Sequence, residues 1–393
     1  MADVIRLMRP GTLNLSALPP LSLYVHLPWC IRKCPYCDFN SHENKGEVPA
    51  EAYLAALRAD LEAALPLIWG RHVVSIFIGG GTPSLFAPEQ IAELISDIRA
   101  RLPLEPGCEI TLEANPGTFE KDRFKGFRDA GVTRLSIGVQ SFDDAKLKAL
   151  GRVHDSAQAR AAIAEAAAAF DTFNIDLMYA LPGQTLGELA LELDTALAYA
   201  PPHLSVYHLT IEPNTRFAVQ TPENLPDSDL ASQMLDLITA RTQSVEMDRY
   251  EVSAYARTGH RCTHNLNYWQ FGDYLGIGAG AHTKLSFPNR VLRQVRWREP
   301  AAYMSKAGEG VAVSNEHEVA RSELPFEFML NALRLREGVP ITQFLERTGL
   351  PPSSIAKAME QGRSRGLLVE DPARICATAK GFDFLSDLQE LFL

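Results

Sequence analysis

Six short apolar runs punctuate the first half of the chain: LSLYVHL (21–27), VVSIFI (73–78), EITLE (109–113), RLSIGVQ (134–140), FNIDLMY (173–179) and LSVYHL (204–209). Between them lie AEAYLAALRADLEAAL, PEQIAELISDIRARL, ARAAIAEAAAAF and TLGELALELDTALAYA, where Ala, Leu and Glu recur at helical spacing. Strands alternating with helices imply a parallel sheet with helices packed outside it. Each apolar run is followed by polar, Gly-rich or Cys-bearing sequence: a three-cysteine loop, GGGTPS, EANPG, QSFDD, ALPGQT and TIEPNT. In a parallel barrel, the loops at the carboxyl ends of the strands converge on one face and carry the site. The expected fold class is therefore α/β, a partial, six-stranded parallel β/α barrel, with an open doubly wound sheet as the competing topology.

Composition changes this picture little. A chain of 393 residues with 46% hydrophobic content is long enough for two or three domains around a large core. No apolar run reaches membrane-span length, and MADVIRLMRPGTLNLSALPP has no continuous apolar segment to read as a signal peptide. The expected location is cytoplasmic, where reducing conditions keep thiols free for metal. A formal net charge of −10 disfavours broad binding to nucleic acid.

The candidate chemistry sits directly after the first apolar run. Cys30, Cys34 and Cys37 form C-x-x-x-C-x-x-C in YVHLPWCIRKCPYCDFNSH. Three soft thiolates this close can hold three irons of a cubane cluster and leave the fourth iron open to an exchangeable ligand. A zinc site completed by His26 or His42 is the alternative, although structural zinc usually takes two Cys pairs. A disulfide framework is the other alternative; Cys108, Cys262 and Cys376 are scattered far along the chain.

The cysteine loop with an aromatic before its last cysteine, followed by GGGTPS and EANP, resembles the radical SAM superfamily. YVHLPWC, PYCDFNSH, SIGVQSF and IDLMYALPGQT resemble the branch that holds oxygen-independent coproporphyrinogen III oxidase (HemN) and the heme chaperone HemW. The resemblance implies one 4Fe–4S cluster on Cys30, Cys34 and Cys37, with S-adenosylmethionine on its open iron. It further implies that Tyr24 and Tyr36 flank the cluster and cosubstrate, and that Gly80, Gly81 and Thr82 admit the methionine moiety. Glu113, Gln140, Arg152 and Asp176 match positions that contact S-adenosylmethionine in the oxidase branch; carboxylates suit its ribose or ammonium, and Arg suits its carboxylate.

Two departures choose within the branch. The oxidases carry a fourth cysteine where this chain has Phe39, and C-x-x-x-C-x-x-C-x-F is the chaperone subgroup's pattern. HNLNYW (264–269) matches the H-N-x-x-Y-W motif tied to heme binding there, implying His264 as an axial ligand, with Asn265, Tyr268 and Trp269 around the porphyrin. His208 and His260 stay open as ligands. The implied partners are heme, heme-acceptor proteins and an electron donor for the cluster, with a membrane reached only through a membrane-bound acceptor. No residue is assigned a catalytic role. The implied activity is heme binding and transfer; the alternatives are coproporphyrinogen oxidation or radical methylation.

Downstream, YLGIGAGAHTK (274–284) reads as a Gly-rich turn near the site, and RVLRQVRWR as a solvated basic segment. From ELPFEF onward short helices and GLLV (366–369) resemble the branch's small C-terminal domain, winged-helix-like in pattern but lacking a basic recognition helix. The expected division is an N-terminal arm (1–20), a core (21–215), an extension carrying HNLNYW (216–318) and a C-terminal HemN-like domain (319–393).

Overall fold

The computed structural model describes residues 13–44, 46–118 and 122–393. Of the expected N-terminal arm, residues 1–12 lie outside the described residues.

All six expected strands form: β1 (Leu21–Leu27), β2 (Val73–Gly80), β3 (Leu104–Ala114), β4 (Arg134–Gln140), β5 (Phe173–Tyr179) and β6 (His203–His208). They pair in parallel in chain order. The crossovers are helices α1 (Ala50–Ala64), α2 (Pro88–Arg101), α3 (Arg123–Asp129), α4 (Ser156–Ala169) and α5 (Leu186–Leu197). Local chemistry fixes their starts. Asp155 with Gln158, and Thr185 with Glu188, form capping boxes that satisfy the first free N–H groups of α4 and α5.

The strands alternate at period two. Leu23 and Val25, Ile76 and Ile78, Ile110 and Leu112, Leu135 and Ile137, Ile175 and Leu177, and Leu204 and Val206 are buried in the main core. Apart from Phe77, the residues between them are polar or carry a hydroxyl, and with Glu113 and Asn174 they make the opposite face of the sheet largely hydrophilic. Between β4 and β5 the register shifts by one residue from Gly138 to Gln140, where Gln140 takes φ 67°. A bulge of this kind re-aims a side chain at the end of a strand.

The sheet is larger than six strands. Part of the supposed Gly-rich turn is a seventh parallel strand, β7 (Asp273–Ile277), on the free edge of β1 with Leu21 opposite Asp273 and Val25 opposite Ile277. Beyond it, β8 (His282–Phe287), β9 (Arg290–Arg296) and β10 (Val313–Glu318) continue antiparallel. RVLRQVRWR is therefore not a solvated segment: Arg296 is buried against Asp60 at 3.1 Å, and Arg293 pairs with Glu327 at 2.7 Å.

A second core gathers helices α6 (Leu324–Ala332), α7 (Ile341–Thr348) and α8 (Ala356–Ser364). Leu13 and Leu15 are buried in it, tying the start of the described chain to its end. GLLV makes only an isolated bridge, Leu368 to Ala377, and the two-stranded ladder pairs Val339–Pro340 with Arg374–Ile375. No helix among the described residues is long and apolar enough to cross a membrane.

Candidate functional site: a cysteine-rimmed cavity

The hydrophilic face of the sheet encloses a cavity of about 410 Å³. Cys30, Cys34 and Cys37 line its upper end as free thiols, and Arg134, Asn174 and Ser205 line its floor. From Gln140 to Arg134 along β4 the depth is about 20 Å at a strand's rise per residue.

Backbone bonds position the cysteine loop. Trp29–Cys30 pairs with His42–Glu43, the Cys37 N–H reaches the Cys34 carbonyl at 3.2 Å, and the Gly81 and Thr82 N–H groups donate to Leu27 and Trp29 at 2.8 Å each. The glycines serve this docking. A Cβ on Gly81 would meet the Trp29 carbonyl at 2.5 Å, and one on Gly80 (φ 118°) would meet the His26 ring at 2.5 Å. GGG thus lets β2 and the cysteine loop approach each other.

Around the thiols, Cys37 Sγ lies 3.6 Å from Ser41 Oγ, and Arg152 Nη1 donates to Cys34 Sγ at 3.7 Å and to Tyr36 Oη at 3.5 Å. Arg152 Nη2 is anchored on the Gly138 carbonyl at 2.8 Å. Burial pushes the Cys30 thiol up, and Cys37 and Cys34 add to that, whereas Thr82 opposes it. Crowded thiols gain from a shared cationic centre, so the donor set fits an iron cluster.

Deeper in, Glu113 accepts the Gly80 N–H at 3.0 Å, and Asp176 accepts from Ser136 at 3.0 Å and Asn174 at 2.7 Å. Burial raises the Asp176 carboxyl and pushes the Glu113 carboxyl up to about 7, the latter helped by the Asp176 charge and opposed by the Gly80 N–H. Folded Glu113 keeps its proton to about pH 7, against an ordinary value of 4.5, so its contribution to stability is full below 4.5 and lost as pH rises to 7. Glu113→Gln is expected to unfold at wild-type denaturant at pH 4 and to be about 3 kcal/mol more stable than wild type at pH 8. Equal stability at pH 8 in urea titrations would contradict this.

The structure brings Tyr36, Gly80, Gly81, Thr82, Glu113, Gln140, Arg152, Asp176 and Asn265 to the cavity with the three cysteines. Tyr24 is not on its wall. Its hydroxyl donates to His26 Nδ1 at 2.9 Å, while His26 Nε2–H reaches the Asn40 carbonyl at 2.9 Å, a chain that ties β1 to the cysteine loop.

HNLNYW forms a short helix (Thr263–Trp269) capped by Glu109, whose carboxylate accepts the Thr263 and His264 N–H groups at 3.2 Å. From this helix Asn265 lines the cavity, whereas His264 is 2% exposed behind Phe77, ring centroids 5.0 Å apart. Burial, with Arg134 nearby, lowers its pKa to about 3, so the ring is neutral. Nδ1 is held by Ser75 at 3.1 Å, and Nε2 has no partner among the described residues. Tyr268 packs on Tyr274 at 4.3 Å, and Trp269 lies under Arg334 at 4.2 Å, its indole nitrogen without a partner among the described residues. Of the other two histidines left open, His208 lines the cavity and His260 does not; the latter bonds Thr172 at 2.9 Å.

Sequence reasoning missed the cavity floor. Arg134 is 3% exposed, its side-chain Nε has no partner among the described residues, and it lines the cavity with Ser136, Asn174, Ser205 and Tyr207. The signal was the alternation itself: in RLSIGVQ and FNIDLMY the polar residues fall on one face.

A cysteine-rimmed cavity at the carboxyl end of a parallel sheet is the arrangement a radical SAM protein needs, and the profile of the radical SAM superfamily matches residues 24–196. The HemN C-terminal domain profile matches residues 319–384. The heme chaperone HemW of Escherichia coli is 47% identical over 96% of this chain and 99% of its own, and that of Mycobacterium tuberculosis 35% over 94% of each. The solved structure of coproporphyrinogen III oxidase (HemN) from Escherichia coli superposes with a TM-score of 0.81 at 25% identity, covering 95% of this chain and 90% of that one. The chain belongs to the HemW/HemN-like family of the radical SAM superfamily. Membership implies a 4Fe–4S cluster and S-adenosylmethionine.

Proposed function

We propose that this protein is a heme chaperone of the cytoplasm, which binds heme and passes it to acceptor proteins. Full-length kinship with proteins named heme chaperones carries the reading, at nearly twice the identity found with the oxidase. Phe39 supports it, since it stands where the resemblance puts a fourth cysteine in the oxidase branch and its ring is 61% exposed on the cavity rim.

In this reading Cys30, Cys34 and Cys37 hold the cluster, and Tyr36, Gly80, Gly81, Thr82, Glu113, Gln140, Arg152 and Asp176 surround S-adenosylmethionine. The cluster, when bound, supplies an open iron and one-electron chemistry. The chain's own residues do the rest. Arg152 orients Tyr36 and places positive charge beside Cys34, and burial makes carboxylate charge on Glu113 and Asp176 costly until a cationic ligand arrives.

For heme, His264 has the electronics of an axial ligand. Its Nδ1 is occupied by Ser75 Oγ, as metal-bound imidazoles usually occupy their second nitrogen, and Nε2 of the neutral ring has no partner among the described residues. Asn265, Tyr268 and Trp269 flank it, and access requires the Phe77 ring to swing aside. Heme-loaded protein mixed anaerobically with an apo-globin is expected to lose its heme absorbance as the globin gains it. Retention of heme, together with turnover of coproporphyrinogen III, would move the assignment to the oxidase.

A further inference from the structure

On the outer side of the cysteine loop, Arg32, Lys33, Lys148 and Arg216 line a surface hollow of about 520 Å³ whose one carboxylate is Glu223. Elsewhere in this acidic chain, Arg58, Arg71, Arg101, Lys284 and Arg293 rest on carboxylates. None of the four cations in the hollow makes an ion pair among the described residues. Lys33 donates to the Phe39 carbonyl at 3.0 Å, which holds its charge on the loop without neutralising it.

The hollow is built onto the cluster ligands. The Phe217 N–H donates to the Pro35 carbonyl at 3.0 Å, and Thr215 caps the turn behind it by accepting the Ala218 N–H at 3.2 Å. Gly151 (φ 69°) packs so close to Pro35 that a Cβ would meet its ring at 2.7 Å. Pro35 is bonded directly to Cys34, and the turn that presents Lys148 outward sends Arg152 inward to Cys34 Sγ at 3.7 Å. The cationic surface and the cysteine-lined cavity are therefore two sides of one thin loop. Val219, 90% exposed beside the hollow, adds an apolar contact.

We propose that this hollow docks a small acidic electron-carrier protein that reduces the cluster. The inference rests on the assignment of the cluster to Cys30, Cys34 and Cys37 and not on heme binding. One electron leaves the carrier, which is oxidised by one electron, and enters the cluster, which is reduced by one; no atom is exchanged. A positive patch on a chain of net charge −10 favours an acidic partner at this one face. Electron-transfer encounters are small and transient, as a hollow of this size allows.

The test uses cluster-loaded protein, photoreduced flavodoxin as the acidic carrier, and Lys148→Glu with Arg216→Glu, two positions outside the cavity lining. Stopped-flow reduction at low ionic strength is expected to slow by about tenfold or more in the double variant and to lose most of its salt dependence. Dithionite should reduce both proteins at the same rate, and their iron content should match. The milder pair Lys148→Gln and Arg216→Gln should fall between. Equal rates and equal salt dependence with flavodoxin would overturn the proposal, as would equal slowing with dithionite, which indicates a distorted site. Normal reduction with slowed heme transfer would overturn it too and give the hollow to the heme acceptor. Absence of iron and sulfide from the wild-type protein would remove the cluster assignment beneath it.

Discussion

Replacing Cys34 and Cys37 together by Ala is expected to leave purified, reconstituted protein with almost no cluster iron or sulfide, against about four irons per chain in the wild type. Only Cys30 would then face the cavity as a thiol, because Cys108, Cys262 and Cys376 do not line it. One thiolate cannot hold an iron–sulfur cubane. The backbone should survive, since the loop is held through main-chain bonds from Gly81, Thr82, His42 and Asn44 rather than through the sulfurs. Iron and sulfide analysis beside far-UV circular dichroism separates loss of the cluster from loss of the fold. Cluster iron retained by the double variant would mean that other groups bind it.

The second large effect is structural and reaches the same loop from behind. Asp60 on α1 is buried and accepts from Arg296 Nε at 3.1 Å, Tyr303 Oη at 2.9 Å and the Gly278 N–H at 3.3 Å. Burial raises its carboxyl, and the Arg296 charge opposes that. Asp60→Ala would strand a fully buried guanidinium at a cost of about 3–5 kcal/mol, a large part of the roughly 5–15 kcal/mol that holds a domain together. Arg296 keeps only Thr283 and Gln294 as partners. The damage should spread to the cluster. Gly278 packs onto His26, and Asn40 of the cysteine loop donates to the Ala279 and Arg298 carbonyls at 2.9 and 2.8 Å. Urea unfolding should show the loss, and Asp60→Ala with Arg296→Met should recover much of it, because the pair is then removed as a unit. An unchanged urea midpoint in Asp60→Ala would show that the pair contributes little.

The six core strands were legible because β-rich apolar runs alternate with Ala- and Leu-rich helical spacing; five fell within two residues of their expected bounds, and β3 starts five residues before its expected start. The seventh was not. DYLGIGAGAH carries glycines that read as a turn, yet Gly276 lies within β7 because the β1 edge supplies the partner, a pairing some 250 residues away in the chain. Arg296 misled for a related reason: its carboxylate, Asp60, sits on a helix that no local pattern connects to it. The cysteine loop was readable as chemistry from spacing alone. The triple glycine was read as room for a ligand, and its closest neighbours prove to be the Trp29 backbone and His26. HNLNYW was recognisable as a motif, but only the tertiary structure shows His264 enclosed behind Phe77 with one nitrogen unsatisfied.

An anaerobic hemin titration of cluster-loaded protein, followed by absorbance with His264→Ala in parallel, reaches the heme proposal most directly. Saturation near one heme per chain, weakened roughly tenfold or more (about 1.4 kcal/mol) in the variant, is the expected result. Absence of saturable binding by the wild-type protein would contradict it.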